Sequence, residues 1–135
     1  MLGAAGDLLD CMTSTGDISI QNSASRVMKL QSDTGDFQVS VVAGDEVHMT
    51  NNTGDVDAQN VNVQMFTCST DTGDVALEKV LAEDYLQVFG NTGDIHIANS
   101  DAPNVNIETD TGDVTVPAAW EFQRIETNTG DIKYD

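Results

Sequence analysis

DTGDVALEKVLAEDYLQVFGNTGDIHIANSDAPNVNIETDTGDVTV runs from Asp71 to Val116. Within it the triplet Thr-Gly-Asp occurs three times, each time followed by Val or Ile. Working outward, the same triplet stands at Thr15-Gly16-Asp17, Thr34-Gly35-Asp36, Thr53-Gly54-Asp55, Thr72-Gly73-Asp74, Thr92-Gly93-Asp94, Thr111-Gly112-Asp113 and Thr129-Gly130-Asp131. The steps between the threonines are 19, 19, 19, 20, 19 and 18 residues. A fixed period of this size marks a repeat architecture. An active site needs unlike residues converging once, so seven near-identical copies speak against a single catalytic centre.

Both sides of the triplet alternate. Four residues before the Thr stand Cys11, Leu30, Met49, Cys68, Val88, Ile107 and Ile125. Six before it stand Leu9, Met28, Val47, Phe66, Leu86, Val105 and Gln123. Three after it come Ile18, Phe37, Val56, Val75, Ile95, Val114 and Ile132, and five after it Ile20, Val39, Ala58, Leu77, Ile97, Val116 and Tyr134. Between them the residues are mostly polar. This period of two is the strand signal, and the three-and-four spacing of a helix is absent. The position before the Thr is Ser, Asp or Asn in every copy, a side chain that bonds its own backbone in a turn. Gly at the third turn position supplies the positive φ of a type II or related turn, which assigns Gly16, Gly35, Gly54, Gly73, Gly93, Gly112 and Gly130 a structural role.

Each repeat therefore reads as strand, tight turn, strand, loop. Equivalent strands of successive repeats pair in parallel, about 4.8 Å apart. The prediction is an all-β protein, a parallel β-solenoid (a β-helix or β-roll) of about 19-residue coils. It has two main strands per coil, six to seven coils, and a core of stacked Val, Ile, Leu, Phe and Met ladders. Asn22, Asn60 and Asn99, seven after the Thr, mark a turn in the less regular opposite loop. The 20-residue coil places its extra residue near Ala82-Glu83-Asp84. At 135 residues the chain is one domain, 1–135.

Composition narrows the function. Five basic residues face 23 acidic ones, a formal net charge of −18. Such a chain repels nucleic acid and anionic membrane surfaces and favours cations or basic partners. The regular apolar pattern argues against the disorder that high net charge otherwise implies. No apolar run is long enough for a transmembrane helix. The first residues, MLGAAGDLLDCMTSTGD, lack a basic segment and do not read as a signal peptide.

Individual residues add little chemistry. Cys11 and Cys68 share one inward column three coils apart, roughly 14 Å, which is too far for a disulfide. Both read as buried free thiols. The aspartates Asp17, Asp36, Asp55, Asp74, Asp94, Asp113 and Asp131 form a second column. The plain reading is that each accepts hydrogen bonds from turn amides or the Thr hydroxyl. The sharper one is a row of Ca²⁺ sites along the turn edge, aided by Asp33, Asp71 and Asp110. Against calcium, Asp alternates with Asn at that neighbouring position, and the repeat lacks the GGxGxD pattern of calcium β-rolls. Thr-x-Thr pairs such as Thr109/Thr111 raise the idea of an ice-binding face, but the first Thr falls on the inward parity. His48 and His96 stand alone on outward positions. No Ser-His-Asp order, Cys-x-x-Cys or phosphate loop is present. Trp120 and Phe122, in the shortened last coil, are expected to cover the C-terminal end of the core.

The stretch NVNIETDTGDVTV (Asn104–Val116) resembles bacterial adhesin-type domains of unknown function. These carry Ser/Thr-Gly-Asp-Ile/Val repeats at this spacing, and the resemblance spans about Leu9 to Ile132. It implies a right-handed parallel β-solenoid, a prokaryotic source and attachment to the cell envelope; it transfers no catalytic residues. The expectation is a non-enzymatic structural or binding module, displayed at the envelope or outside the cell, with a protein or glycan surface partner and no required cofactor. A cytoplasmic location is the alternative. A second expectation is a self-assembling subunit that stacks head to tail through open solenoid ends. A calcium-binding repeat and a carbohydrate-active enzyme rank below both.

Overall fold

A computed structural model describes residues 5–117 and 124–134. The chain coils into a parallel β-solenoid of about six turns, and no helix occurs among the described residues. Its strands are β1 (Ala5–Thr15), β2 (Ile18–Thr34), β3 (Phe37–Thr53), β4 (Val56–Thr72), β5 (Val75–Thr92), β6 (Ile95–Ala98), β7 (Val105–Thr111), β8 (Val114–Val116), β9 (Arg124–Thr129) and β10 (Ile132–Tyr134). All pairs are parallel and offset by one coil, as in Ile18↔Phe37↔Val56↔Val75↔Ile95↔Val114↔Ile132. One repeat thus stacks on the next with like residue over like, which is why the columns of the sequence are columns of the core.

The half of the coil expected to be an irregular loop is laddered as well. Ser23, Ala24 and Ser25 of β2 pair with Val42, Ala43 and Gly44 of β3. The strand keeps its pairing by bending at corners. At Asn22, Val41, Asn60, Lys79 and Asn99 the backbone takes φ between 53° and 56°. Each such corner puts two successive residues outward, so the inward set falls in three runs. In β2 these are Ile18/Ile20, Ser23/Ser25 and Met28/Leu30/Ser32, all buried. Asn22, Asn60 and Asn99 sit where the sequence placed a turn, and Asn tolerates this conformation through its short polar side chain. Val41 does not fit that rule. It is β-branched, half exposed, and held at φ 55° by the rungs on either side. The left-handed region costs an ordinary residue about 1–2 kcal/mol, so Val41→Asn is expected to raise stability by about 1 kcal/mol. A higher urea midpoint with an unchanged slope is the readout.

The core is a single file of ladders that includes Phe37, Phe66, Met28, Leu77, Leu86, Ile97 and Ile107, all 1% exposed or less. The extra residue falls where expected: Val63 pairs with Ala82 but Met65 with Tyr85, which bulges Glu83-Asp84 out of the ladder. Cys11 and Cys68 are free and stand three rungs apart through Leu30 and Met49. Burial pushes the Cys68 thiol up to about 12. Cys11 is only half-buried because β1 has a neighbour on one side alone; partial burial, then the charge of Asp10, raises its thiol above the ordinary value. Trp120, Phe122 and Gln123 lie outside the described residues. No helix among those described is long and apolar enough to cross a membrane.

Candidate functional site: the Thr-Gly-Asp edge

The seven triplets stack into one edge of the solenoid, and each residue has a separate task there. Gly takes φ between 133° and 148° in every copy, beyond the value of about +80° of a type II turn and open to little but Gly. Stacking imposes a second demand. A Cβ at Gly35, Gly54, Gly73, Gly93, Gly112 or Gly130 would lie 1.9–2.1 Å from the carbonyl oxygen of the Gly one turn below. Gly16 has no such neighbour, and a Cβ there meets only the Thr13 hydroxyl at 3.8 Å.

The aspartate solves a backbone problem. At the corner, the Gly and the residue after Asp donate their amides to carbonyls of the next turn, as in Gly35 N to Thr53 O and Phe37 N to Asp55 O, both 2.9 Å. The amide of the Asp itself points the other way and meets no carbonyl. The carboxylate of the preceding turn receives it: Asp36 N donates to Asp17 Oδ1 at 2.9 Å, and the same bond recurs at Asp55, Asp74, Asp94, Asp113 and Asp131 at 2.8–2.9 Å. Stacked carboxylates repel, but the six from Asp17 to Asp113 are each matched to an N–H donor, and such charge-assisted bonds are the stronger kind. Asp55→Ala is expected to cost about 1.5 kcal/mol and Asp55→Asn about half of that, because the carboxamide oxygen can still accept. Urea unfolding of the two variants checks the order.

A second row runs beside the first. Asn52 Nδ2 donates to Asp33 Oδ1 at 3.1 Å, Asn91 to Asp71 at 2.9 Å and Asn128 to Asp110 at 3.0 Å. Alternation of Asp and Asn therefore pairs a donor with an acceptor across successive turns. The sequence showed the alternation, used there only as an argument against calcium; matching donors to acceptors by column would have given the pairing. The aspartate-to-amide bond left no such trace, because its donor is backbone.

Inside the edge lies a polar column, buried as the parity required: Ser32 and Asn51 at 3% exposure, Thr70 at 4% and Thr109 at 6%. Its side chains reach the Gly carbonyls that the turn leaves facing inward. Asn51 Nδ2 donates to Gly35 O at 2.9 Å, and the Thr127 hydroxyl to Gly112 O at 3.0 Å. The Ser32 and Thr109 hydroxyls find no partner among the described residues.

Along the outside of the edge runs an open groove in two stretches, of about 660 Å³ and about 600 Å³, which meet at Phe89 and Gly90. One wall is the Asp/Asn row. The other holds Gln31, Thr50, Ser69, Phe89 and, further along, Glu108 and Glu126. No Lys or Arg lines it. Exposed ion pairs, Arg26–Asp45 at 3.9 Å and Arg124 with the wall residues Glu108 and Glu126 at 3.7 Å, add little stability. His48 reaches Glu46 at 3.7 Å, and His96 is exposed on β6. Among the described residues, no three His, Cys, Asp or Glu side chains gather closely enough to hold a metal ion. The aspartates proposed for calcium stand in single file, and Asp17, Asp36, Asp55, Asp74, Asp94 and Asp113 each have one oxygen engaged by the amide of the next turn.

A family model described as Toastrack DUF4097 matches the chain over residues 3–78 and again over 45–135. The overlap of the two matches is what a repeat gives when one model fits it in two registers. No curated protein and no solved structure matches.

Proposed function

The chain belongs to the Toastrack DUF4097 family, and from that premise we propose that it is a non-enzymatic structural and binding module. In this reading it is an adhesin-like acidic rod displayed at the cell envelope, its laddered faces carrying recognition of a surface partner. The observation behind this is how the repeated polar groups are used. The Asp and Asn side chains that recur along the edge bond one turn to the next, rather than converging on a point where a substrate could react. Fractionation of source cells with an antibody to the chain tests the location: signal in the envelope fraction supports it, and signal confined to the cytosol removes the adhesin part. Incubation with a panel of polysaccharides tests the rest, since release of reducing ends would make the protein an enzyme.

A second reading is head-to-tail stacking of copies. It is favoured by the end strands of the described solenoid, β1 and β10, each of which pairs on one side only. Sedimentation velocity over a wide concentration range, in chelator and then with calcium, decides it. Growth in chelator supports end-to-end assembly. Growth only with calcium makes the aspartate column a metal site, and a monomer in both rules out stacking.

A further inference from the structure

In a repeat protein, the residues that the fold demands recur in every turn. A residue that breaks its column is free to serve something else. Phe89 and Gly90 break two adjacent columns at once: Phe89 follows Gln31, Thr50 and Ser69, and Gly90 follows Ser32, Asn51 and Thr70. They are also where the two stretches of the groove meet. Phe89 is half-buried, with its side chain on the outward parity. Gly90 leaves space beside Thr109, whose Oγ1 lies 3.4 Å from where a Cβ would stand. That hydroxyl belongs to a side chain 6% exposed and has no partner among the described residues. The break in the repeat therefore places an aromatic ring on the groove wall where its two stretches meet, while the Thr109 hydroxyl stays on the inner side of the edge.

The wall has its own period. Asp33, Asp71 and Asp110 recur at every second turn, with Asn52 and Asn91 between them. At the strand spacing this is an interval of about 10 Å. Each carboxylate accepts one carboxamide bond through Oδ1 and has a second oxygen for another donor. A wall with a carboxylate at every second turn and no Lys or Arg disfavours an anionic polymer and suits one that brings donors to those carboxylates. A β-1,4-linked glycan in its extended two-fold form turns over at each sugar. Substituents along one of its edges therefore recur at every second sugar, close to the interval of the carboxylates. Its rings offer apolar faces for an aromatic side chain, and acetamido groups offer N–H donors.

Resting on the binding-module reading above, we propose that the groove binds an extended β-1,4-linked glycan bearing acetamido groups. One ring packs on Phe89, and acetamido N–H groups donate to Asp33, Asp71 and Asp110. Titration calorimetry of the whole chain with the N-acetylglucosamine hexamer tests it, beside the glucose hexamer and hexalysine, at low and high salt. Saturable binding of the acetamido hexamer is expected, tighter than the glucose hexamer and changed less than about twofold by salt. Phe89→Ser should weaken it by about tenfold or more, while Phe89→Tyr, which keeps the ring, should retain it. Circular dichroism confirms that both variants keep the strand spectrum. The proposal is overturned by silence with the acetamido hexamer, by equal affinity in Phe89→Ser, or by binding of hexalysine alone that salt abolishes. The binding-module reading fails by a different result, the release of reducing ends, so the two failures are told apart.

Discussion

Gly73→Ala lowers the stability of the solenoid by about 4 kcal/mol, while Gly16→Ala, the same change at the same turn position, lowers it by about 1–2 kcal/mol. Both glycines have strongly positive φ, 146° and 133°, so the cost of putting a side chain into that conformation is common to the two. What differs is the turn below. A methyl at Gly73 would stand 1.9 Å from the Gly54 carbonyl oxygen and 2.6 Å from its carbon, atoms of a backbone pinned by ladder bonds on both sides. To make room, two turns must separate where Gly54 N donates to Thr72 O and Asp74 N donates to Asp55 Oδ1. At Gly16 the methyl enters open space. Urea unfolding of the two variants gives the difference directly. Equal losses would mean that φ alone explains the glycine and that the stacked carbonyls carry no weight.

Phe66→Ala is expected to cost about 4 kcal/mol, within the range for emptying a buried aromatic site. Phe66 is fully buried in β4, with Val47 below it and Leu86 above it in its column. A solenoid core is one side chain thick along each column, so no second layer can relax into the gap. Phe89→Ala, on the outward parity of β5, should cost under about 1 kcal/mol. The pair separates packing from recognition: Phe66→Ala should leave glycan binding intact at temperatures where the chain is folded, and Phe89→Ala the reverse. Unfolding midpoints that rank the two the other way would put the inward and outward faces of the strand in error.

The register was legible because the columns are. Ile18, Phe37, Val56 and Val75 are aligned by the triplet before any coordinates, and the structure pairs them in that order. Even the extra residue at Glu83-Asp84 could be placed from a step of 20. The laddered second half of the coil was not legible. There Ser23, Ser25, Gly44 and Ser100 take inward places that Val42, Val61 and Val63 fill in other turns, so the apolar alternation fades. The left-handed corner at Val41 was hidden too, since Val signals a strand and is set at φ 55° only by Asn22 and Asn60 above and below it. At the edge, sequence alone gave Gly and Asp a turn role. It did not show that the turn's chief partner is the same turn one coil away, because that bond runs through the backbone amide.

The ladder bonds between turns all lie along the rod, and every junction carries nearly the same set. Tension applied at the two ends would therefore load the junctions in series, like a roll of tape peeled from its free end. Each turn that lets go exposes an identical junction beneath it and frees 19 residues, about 65 Å of chain. Pulled in an optical trap, the molecule should lengthen in equal steps of that size at nearly constant force, so that a load is relieved turn by turn before the whole rod gives way.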